Sequence, residues 1–252
     1  MRRLFQLALL AVLLAWCAPA QAAFPTFAGA CTLSTRASNN VNDTVNLPAS
    51  IASGDLITVY HFKDGASTGT SAPSPWVELK DVDDAAGTVH LWVGYLISSG
   101  GETSVVVTSS NAERFTSIAC RITAASWHGT TPPEISASAT GASQDGPDPD
   151  AVTASWSAED NLFIAIACAD INGDVDGYPA NYADNQTQSD TTASSGHGGI
   201  ATRELAAASD DPGIFSLDAN EQWVAATIVV RPAGGAPPAA APPTMMMMGV
   251  GD

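Results

Sequence analysis

The chain has 252 residues, of which 45% are apolar and 14% charged, and its formal net charge is −17. This length is enough for one large or two small globular domains. Two of the nine basic residues, Arg2 and Arg3, stand at the start, so the rest of the chain has seven basic residues against 26 acidic ones. Such a surface repels phosphate groups, which disfavours nucleic acid and anionic membranes as partners.

Residues 1–22 have the three parts of a secretory signal peptide. Two arginines are followed by the uncharged apolar run Leu4–Trp16 and by the small-residue cleavage box Ala20-Gln21-Ala22. The apolar run is shorter than the roughly 20 residues of a membrane-spanning helix. We therefore predict cleavage before Ala23, export to the extracellular space or the cell envelope, and no transmembrane segment in the mature chain.

From residue 23 onward, short β-branched and aromatic runs alternate with turn residues, and no helical periodicity is sustained. The clearest runs are Leu56–Phe62, Val89–Leu96, Ser104–Thr108, Leu162–Cys168 and Val224–Val230. The last two are nearly apolar throughout, which is typical of strands covered on both faces or central in a sandwich. The pattern predicts an all-β fold, an antiparallel sandwich of jelly-roll or immunoglobulin-like topology, with no significant helix outside the signal peptide.

The two halves of the chain repeat one pattern at a spacing of about 106 residues. The matching pairs are Leu56 and Leu162, Trp76 and Tyr182, and Phe115 and Trp223. They predict two related halves of about 105 residues, 23–128 and 134–232, joined by a connection rich in turn residues. Two arrangements are open: two sandwiches in tandem, or one sandwich in which each half supplies part of both sheets.

Three cysteines remain after cleavage of the leader: Cys31, Cys120 and Cys168. An oxidising compartment allows one disulfide and leaves one thiol over. Cys120 and Cys168 stand in apolar strand-like runs, where a cysteine packs as a small buried hydrophobe. The pattern favours buried thiols over a disulfide, since pairing needs a Cα separation below about 7 Å.

Two segments imitate hydrolase motifs. Gly65–Gly69 fits the G-x-S-x-G nucleophile elbow around Ser67, and Gly196–Gly199 is similar to an oxyanion-hole loop. An elbow must open a helix, but prolines follow this one, so we interpret it as a flexible turn. The four histidines are scattered, and none has a carboxylate or serine partner at a recognisable spacing.

Four oxygen-bearing side chains alternate along one acidic turn: Asp170, Asn172, Asp174 and Asp176. Alternate side chains on a curved backbone can converge on one hard cation, so this spacing predicts a non-helical calcium site. The glycine and glutamate of an EF-hand loop are missing, and a solvated acidic turn is the alternative. Calcium is the one cofactor that the sequence suggests.

Trp76, Tyr178 and Tyr182 lie in or beside proline-containing loops. Exposed aromatic faces there could stack on sugar rings, which predicts a glycan-binding site, and aromatic residues that pin loops to the core are the alternative.

The end of the chain, 233–252, is a linker of Ala, Gly and Pro followed by Met245–Met248. It predicts a disordered end or a small adhesive tip.

Turn and core motifs recur between residues 31 and 232. They are Leu47-Pro48, Gly54-Asp55-Leu56, Pro75-Trp76, Gly100-Gly101-Glu102, Tyr178-Pro179-x-Asn181-Tyr182, Asp211-Pro212-Gly213, Gln222–Thr227 and Arg231-Pro232. This arrangement resembles a family of β-sandwich proteins encoded in bacteriophage and prophage structural modules. The resemblance implies a virion or tail-associated module that binds and does not catalyse, whereas the cleavable leader indicates a bacterial secreted or envelope protein.

Taken together, these features predict an exported, non-catalytic structural or surface-binding module, similar to phage tail proteins or to cell-envelope adhesins. Its expected partners are cell-surface glycans, other structural proteins or further copies of the chain. The alternative is a secreted hydrolase that acts on polysaccharide or lipid, because paired carboxylates can be assembled in space without a sequence motif.

Overall fold

The computed structural model describes residues 23–142, 146–170, 174–188 and 195–234. The predicted signal peptide and the Met245–Met248 tail lie outside this part of the chain. Its regular elements are fifteen β-strands, numbered β1 to β15 in chain order, and the described residues include no helix. Accordingly, none of the described segments is a helix of the length and apolarity that a membrane crossing requires.

The first half of the chain forms a five-stranded sheet. Its strands are β1 (Thr32–Asn46), β2 (Leu56–Asp64), β3 (Val77–Asp83), β4 (Val89–Ile97) and β5 (Ser104–Ile122). Their spatial order is β1-β5-β2-β4-β3, and every neighbouring pair is antiparallel. Strand β2 is central, which explains why it is buried along almost its whole length.

The second half forms another antiparallel sheet. Its strands are β6 (Glu134–Ile135), β7 (Ala139–Ala142), β9 (Glu159–Ala169), β11 (Ala183–Gln188), β12 (His197–Ala207) and β15 (Gln222–Val230). Their order is β11-β12-β9-β15-β6, and β7 also pairs with β15. Two short antiparallel ribbons complete the fold, β8 (Val152–Thr153) with β13 (Ser209–Asp210), and β10 (Val175–Gly177) with β14 (Ser216–Leu217).

The two sheets pack face to face around one core. Alternate residues of β2, among them Leu56 and Phe62, join the same buried cluster as Leu162, Ile164 and Ile166 of β9. The predicted all-β antiparallel sandwich is thus confirmed. Its construction differs from both arrangements left open by the sequence, because each half supplies one complete sheet. Neither sheet could bury its inner face alone, so the halves share one core.

Strand order is the same in both halves. The strands of the first sheet follow one another in the order β1, β5, β2, β4, β3. In the second sheet the positions are filled, in the same sequence, by β6 together with β7, then β15, β9, β12 and β11. The strands that hold equivalent places are those that contain the matching sequence pairs, such as Leu56 in β2 and Leu162 in β9. The common order agrees with an internal duplication, which stays a prediction.

Both sheets are also covered on their outer faces. In the first, β1 and β5 have register shifts around Asn40, beyond which Asn42–Asn46 pairs with Ser104–Thr108. We call these two segments the outer ribbon. Its Val45 and Val107 pack on Ile57 of β2. On the second sheet, Phe215 and neighbouring loops cover the alanines of β9. Coverage on both faces is why the central strands β2 and β9 are buried along almost their whole length.

The cysteine prediction was wrong in one respect. Cys31 and Cys120 form a disulfide, with their Cα atoms 4.4 Å apart, and Cys168 is a buried free thiol. The reason is the register between β1 and β5, which pairs Thr32 with Ala119. Cys31 and Cys120 are the next pair along this ladder, so they lie directly opposite each other although 89 residues separate them in the sequence.

Candidate functional site

The acidic turn predicted to bind calcium lies between β9 and β10. Asp170 follows the last residue of β9, Asp174 precedes β10, and Asp176 is within it; Asn172 lies outside the described residues. The carboxylate of Asp174 contacts His197 Nδ1, and that of Asp176 accepts a hydrogen bond of 2.7 Å from Ser216 Oγ. Both carboxylates are therefore engaged by side chains of the protein.

A metal ion would need several ligands converging on one point. In the part of the chain that the structure describes, no group of three or more His, Cys, Asp or Glu side chains has that geometry. Asp174 and Asp176 stand on an extended backbone that the pairing of β10 with β14 holds open. A calcium site at Asp170, Asn172, Asp174 and Asp176 stays a prediction. Two of its proposed ligands, Asp174 and Asp176, contact His197 and Ser216.

Asp170 instead takes part in a carboxyl pair that joins the two sheets. It hydrogen-bonds to Asp64, which ends β2 and holds the equivalent place in the first half, 106 residues earlier. Burial, then the negative charges of Asp170 and Glu113, raise the pKa of Asp64 to about 6. Two carboxyls in contact share a proton more readily than they carry two charges.

The aromatic residues proposed for glycan stacking lie in different clusters. Trp76 packs against the outer cluster of the first sheet, whereas Tyr178 and Tyr182 pack on the outer face of the second. Tyr182 donates a hydrogen bond of 2.6 Å to Asp210, and its burial with that carboxylate nearby raises its pKa. The ring of Tyr178 meets Phe215 edge-on at 5.7 Å. Tyr178 and Tyr182 thus share packing that Trp76 does not.

A shallow groove of about 370 Å³ opens between the turn after β3 and strand β7. It is lined by small or uncharged residues: Ala85, Ala86, Thr140, Gly141, Ala142 and Gln222. None of the aromatic or acidic residues predicted to bind a ligand is among them. The groove therefore offers backbone groups and small side chains and no acid–base chemistry.

The hydrolase-like motifs form no catalytic arrangement. Gly65–Gly69 is an irregular turn after β2, with positive φ at both glycines, and no helix follows it in this stretch. Ser67 is fully buried, and its amide donates a hydrogen bond of 2.9 Å to Asp83. Gly196 and Gly198 allow the two sheets to approach closely, since a Cβ at either position would collide with Lys63 or Phe62. The interpretation of Gly65–Gly69 as a turn agrees with this geometry.

Sequence analysis missed the carboxylate partners of the histidines. His61 Nε2 lies 3.2 Å from Asp43 Oδ2, and His197 contacts Asp174. His90 lies between two aspartates, with Nδ1 2.7 Å from Asp83 Oδ1 and Nε2 3.2 Å from Asp81 Oδ1. The sequence contained one signal of such partners: His61 and His90 interrupt apolar strands on the face opposite the inner core. The partners themselves come from other strands or, for Asp174, from the residue before β10, and they are 7 to 23 residues away.

The most unusual polar group is the set Asp43, His61 and Lys63, which we call the buried charge cluster. All three side chains are inaccessible to solvent. Lys63 Nζ lies 3.2 Å from Asp43 Oδ2, the same oxygen that His61 approaches. Asp43 belongs to the outer ribbon, and the other two residues belong to β2. The cluster therefore connects the ribbon to the centre of the first sheet.

Further polar groups surround the lysine. Lys63 Nζ donates to the carbonyl oxygens of Asn40 at 2.9 Å and Asn111 at 3.1 Å, and it contacts Ser109 Oγ. Burial lowers the pKa of Lys63, and Asp43 opposes that effect. Burial also lowers the pKa of His61, which favours its neutral imidazole. The cluster thus holds an amine, a carboxyl and an imidazole together in a site without water access.

Three of the four histidines, His61, His90 and His197, and also Ser67 are directed into the protein rather than toward a cleft. The fourth, His128, is partly exposed in the loop after β5. His61, His90 and Ser67 have no exposed surface, and His197 has 4%.

Comparison with known protein families, curated proteins and solved structures finds no significant match to this chain. The functional conclusion has to come from the geometry.

Proposed function

We propose that the mature chain is an exported, non-catalytic structural or surface-binding module. The observation that carries this proposal is the burial of His61, His90, His197 and Ser67. The partly exposed His128 contacts the hydroxyls of Thr130 and Thr131. A general base must reach within about 3 Å of a substrate proton, which the fully buried side chains of His61 and His90 do not do. These groups hold the sandwich together instead.

Rigidity of the scaffold supports the same function. A disulfide joins Cys31, the residue before β1, to Cys120 in β5, and both outer faces are covered. Buried polar networks that are paired rigidify a fold and specify one arrangement of its strands. A module that works by presenting a surface outside the cell benefits from such a scaffold, because loops can vary while the sheets stay in place.

The proposed ligand is a cell-surface glycan, bound at the loop that carries Trp76. Trp76 is partly exposed, whereas the hydroxyl of Tyr182 is engaged by Asp210. An indole face with access to solvent can stack on a sugar ring, and the excess of acidic residues disfavours anionic partners. A virion-associated and an envelope-associated module would use this surface in the same way.

The test is isothermal titration of the full mature chain with soluble neutral cell-surface polysaccharide, alongside a turnover assay with the same polysaccharide and a lipid ester. We expect saturable binding that Trp76→Ala weakens at least about tenfold, and no turnover. Val77→Ala is the matched control, because Val77 is the next residue and 45% of its surface is exposed. Turnover, or equal binding by the two variants, would contradict the proposal.

A further inference from the structure

Lys63 is one of only two lysines in the whole sequence, and the other is Lys80. Lysine is almost never fully buried unless it is paired, yet the Lys63 side chain has no exposed surface. Its partner, Asp43, is also fully buried. Lys63 Nζ lies 3.2 Å from Asp43 Oδ2, so the amine is in direct contact with the carboxyl group.

The surroundings of this pair favour a reaction between its members. The outer ribbon holds Asp43 in place, because Val107 of the neighbouring strand pairs with it. Lys63 is held from the opposite side by β2, which is paired on both edges. Two groups fixed by separate strands cannot diffuse apart, and such an arrangement can raise the effective concentration to about 10⁵ M or more.

His61 supplies the third group that a condensation requires. Its Nε2 lies 3.2 Å from Asp43 Oδ2, and its ring is held edge-on against Phe115 with the centroids 4.9 Å apart. A neutral imidazole can donate a proton from one nitrogen and accept one at the other. It therefore touches the oxygen that would leave if the Asp43 carboxyl were converted to an amide.

We propose that Lys63 and Asp43 form an intramolecular isopeptide bond that covalently ties the outer ribbon to the centre of the first sheet. The Lys63 Nζ attacks Asp43 Cγ, a C–N bond forms, and the Cγ–Oδ2 bond breaks. Of the three protons on the starting ammonium, one stays on the amide nitrogen and two leave with Oδ2 as water. His61 relays a proton to Oδ2, and no oxidant or further reactant is needed.

Burial supports the reaction in two ways. It lowers the pKa of Lys63, which favours the neutral amine that is the nucleophile. It also keeps bulk water away from the product, which slows hydrolysis of the new amide. The cross-link would keep Val45, Val105 and Val107 seated on Ile57 and Val59 even when the surrounding strands are loosened.

The experiment is intact mass spectrometry of the full mature protein, denatured and with its disulfide reduced. We expect a mass lower than that of the sequence by one water molecule. Proteolysis should then release a branched peptide joining Asp43 to Lys63, with no tryptic cleavage after Lys63. In the denatured chain an amine reagent should label Lys80 and leave Lys63 unmodified.

Variants separate the cross-link from an ordinary ion pair. Lys63→Arg keeps the positive charge but removes the amine, so it should have the full mass of its sequence. Asp43→Asn should lose ammonia in place of water and reach the same cross-linked product. Lys80→Arg is the matched control and should still show the loss of water, since Lys80 Nζ binds the carbonyl oxygen of Ser136.

The role of His61 has its own measurement. His61→Leu should lose water more slowly than the wild type when samples are taken at intervals after synthesis, and equal rates would remove His61 from the relay. The full sequence mass in the wild-type protein, together with free labelling of Lys63, would overturn the isopeptide bond. This result needs no variant, so it decides the question even if the substituted chains do not fold.

Discussion

The central strands of the two sheets, β2 and β9, hold equivalent places but differ on their outer faces. On β2 this face carries Ile57, Val59, His61 and Lys63, and on β9 the equivalent positions are Phe163, Ala165, Ala167 and Ala169. All eight residues are fully buried. One strand therefore buries a lysine and a histidine where the other buries small apolar side chains.

The difference follows from what covers each strand. Alanines leave room for large side chains to approach the sheet, and Phe215 and Val175 pack on Ala165 and Ala167. Over β2 the cover is the outer ribbon, which brings Asp43 to the lysine and the histidine. One cover is held by apolar packing, and the other by packing together with the contacts of Asp43 with Lys63 and His61. A buried amine and a buried carboxyl are tolerated only next to each other, so the second kind of cover has to be placed more accurately.

Of the changes considered, removal of Lys63 should destabilise the protein most, because it affects the cover that depends on Asp43. Lys63→Met removes the proposed cross-link and leaves the Asp43 carboxyl buried without its partner, so we expect a loss of at least about 3–5 kcal/mol in the free energy of unfolding. Urea unfolding measures it. The double variant Asp43→Leu with Lys63→Met should recover the part of this loss that comes from the unpaired buried carboxylate, whereas the part that comes from the cross-link should stay lost. A single variant as stable as the wild type would show that the ribbon does not depend on this pair.

On the second sheet the corresponding change is Phe215→Ala. It removes a fully buried ring from the cover of β9 and should cost about 3–4 kcal/mol through lost burial and the cavity left behind. Ile214→Ala is the control, since Ile214 is 60% exposed and its truncation should change stability by less than about 0.5 kcal/mol. Similar losses in the two variants would contradict the assignment of Phe215 to the cover.

The smallest effect on stability is expected from Asp64 and Asp170, the carboxyl pair at the ends of β2 and β9, and this effect depends on pH. Burial, Asp170 and Glu113 raise the pKa of Asp64 from 3.8 to about 6, against a lowering by Arg114. Between these values the unfolded chain has lost the proton that the folded chain still binds. Stability from this group is therefore complete below about pH 4 and is lost as the pH rises through about 6.

Asp64→Asn should remove this component. We expect the Tm of the wild type to fall relative to that of the variant between pH 4 and pH 6, as measured by thermal unfolding at a series of pH values. Above pH 6 the difference should stay constant, because Asp64 is then charged in both states. Parallel Tm curves across this range would show that Asp64 titrates in the folded protein as it does in the unfolded chain.

Much of the architecture could be predicted from local patterns. The apolar runs around Leu56 and Leu162 lie in the central strands β2 and β9, because a strand covered on both faces is largely apolar. Polar residues such as His61 and Lys63 occur in β2 beside a buried partner, Asp43. Turn residues near Gly65 and Pro75 separate strands as expected. These features depend on neighbouring residues alone, so a single sequence is enough to recognise them.

The pairing of distant residues could only come from the tertiary structure. Which sheet each half builds, which cysteine faces Cys31 and which carboxylate reaches His61 all depend on strand order and register. Cys31 and Cys120 become neighbours through the β1–β5 ladder, and Asp43 reaches Lys63 because the bulged ribbon returns over β2. Alternation along a strand indicates which face a side chain occupies, but the partner on that face is chosen by the packing of segments far apart in the chain.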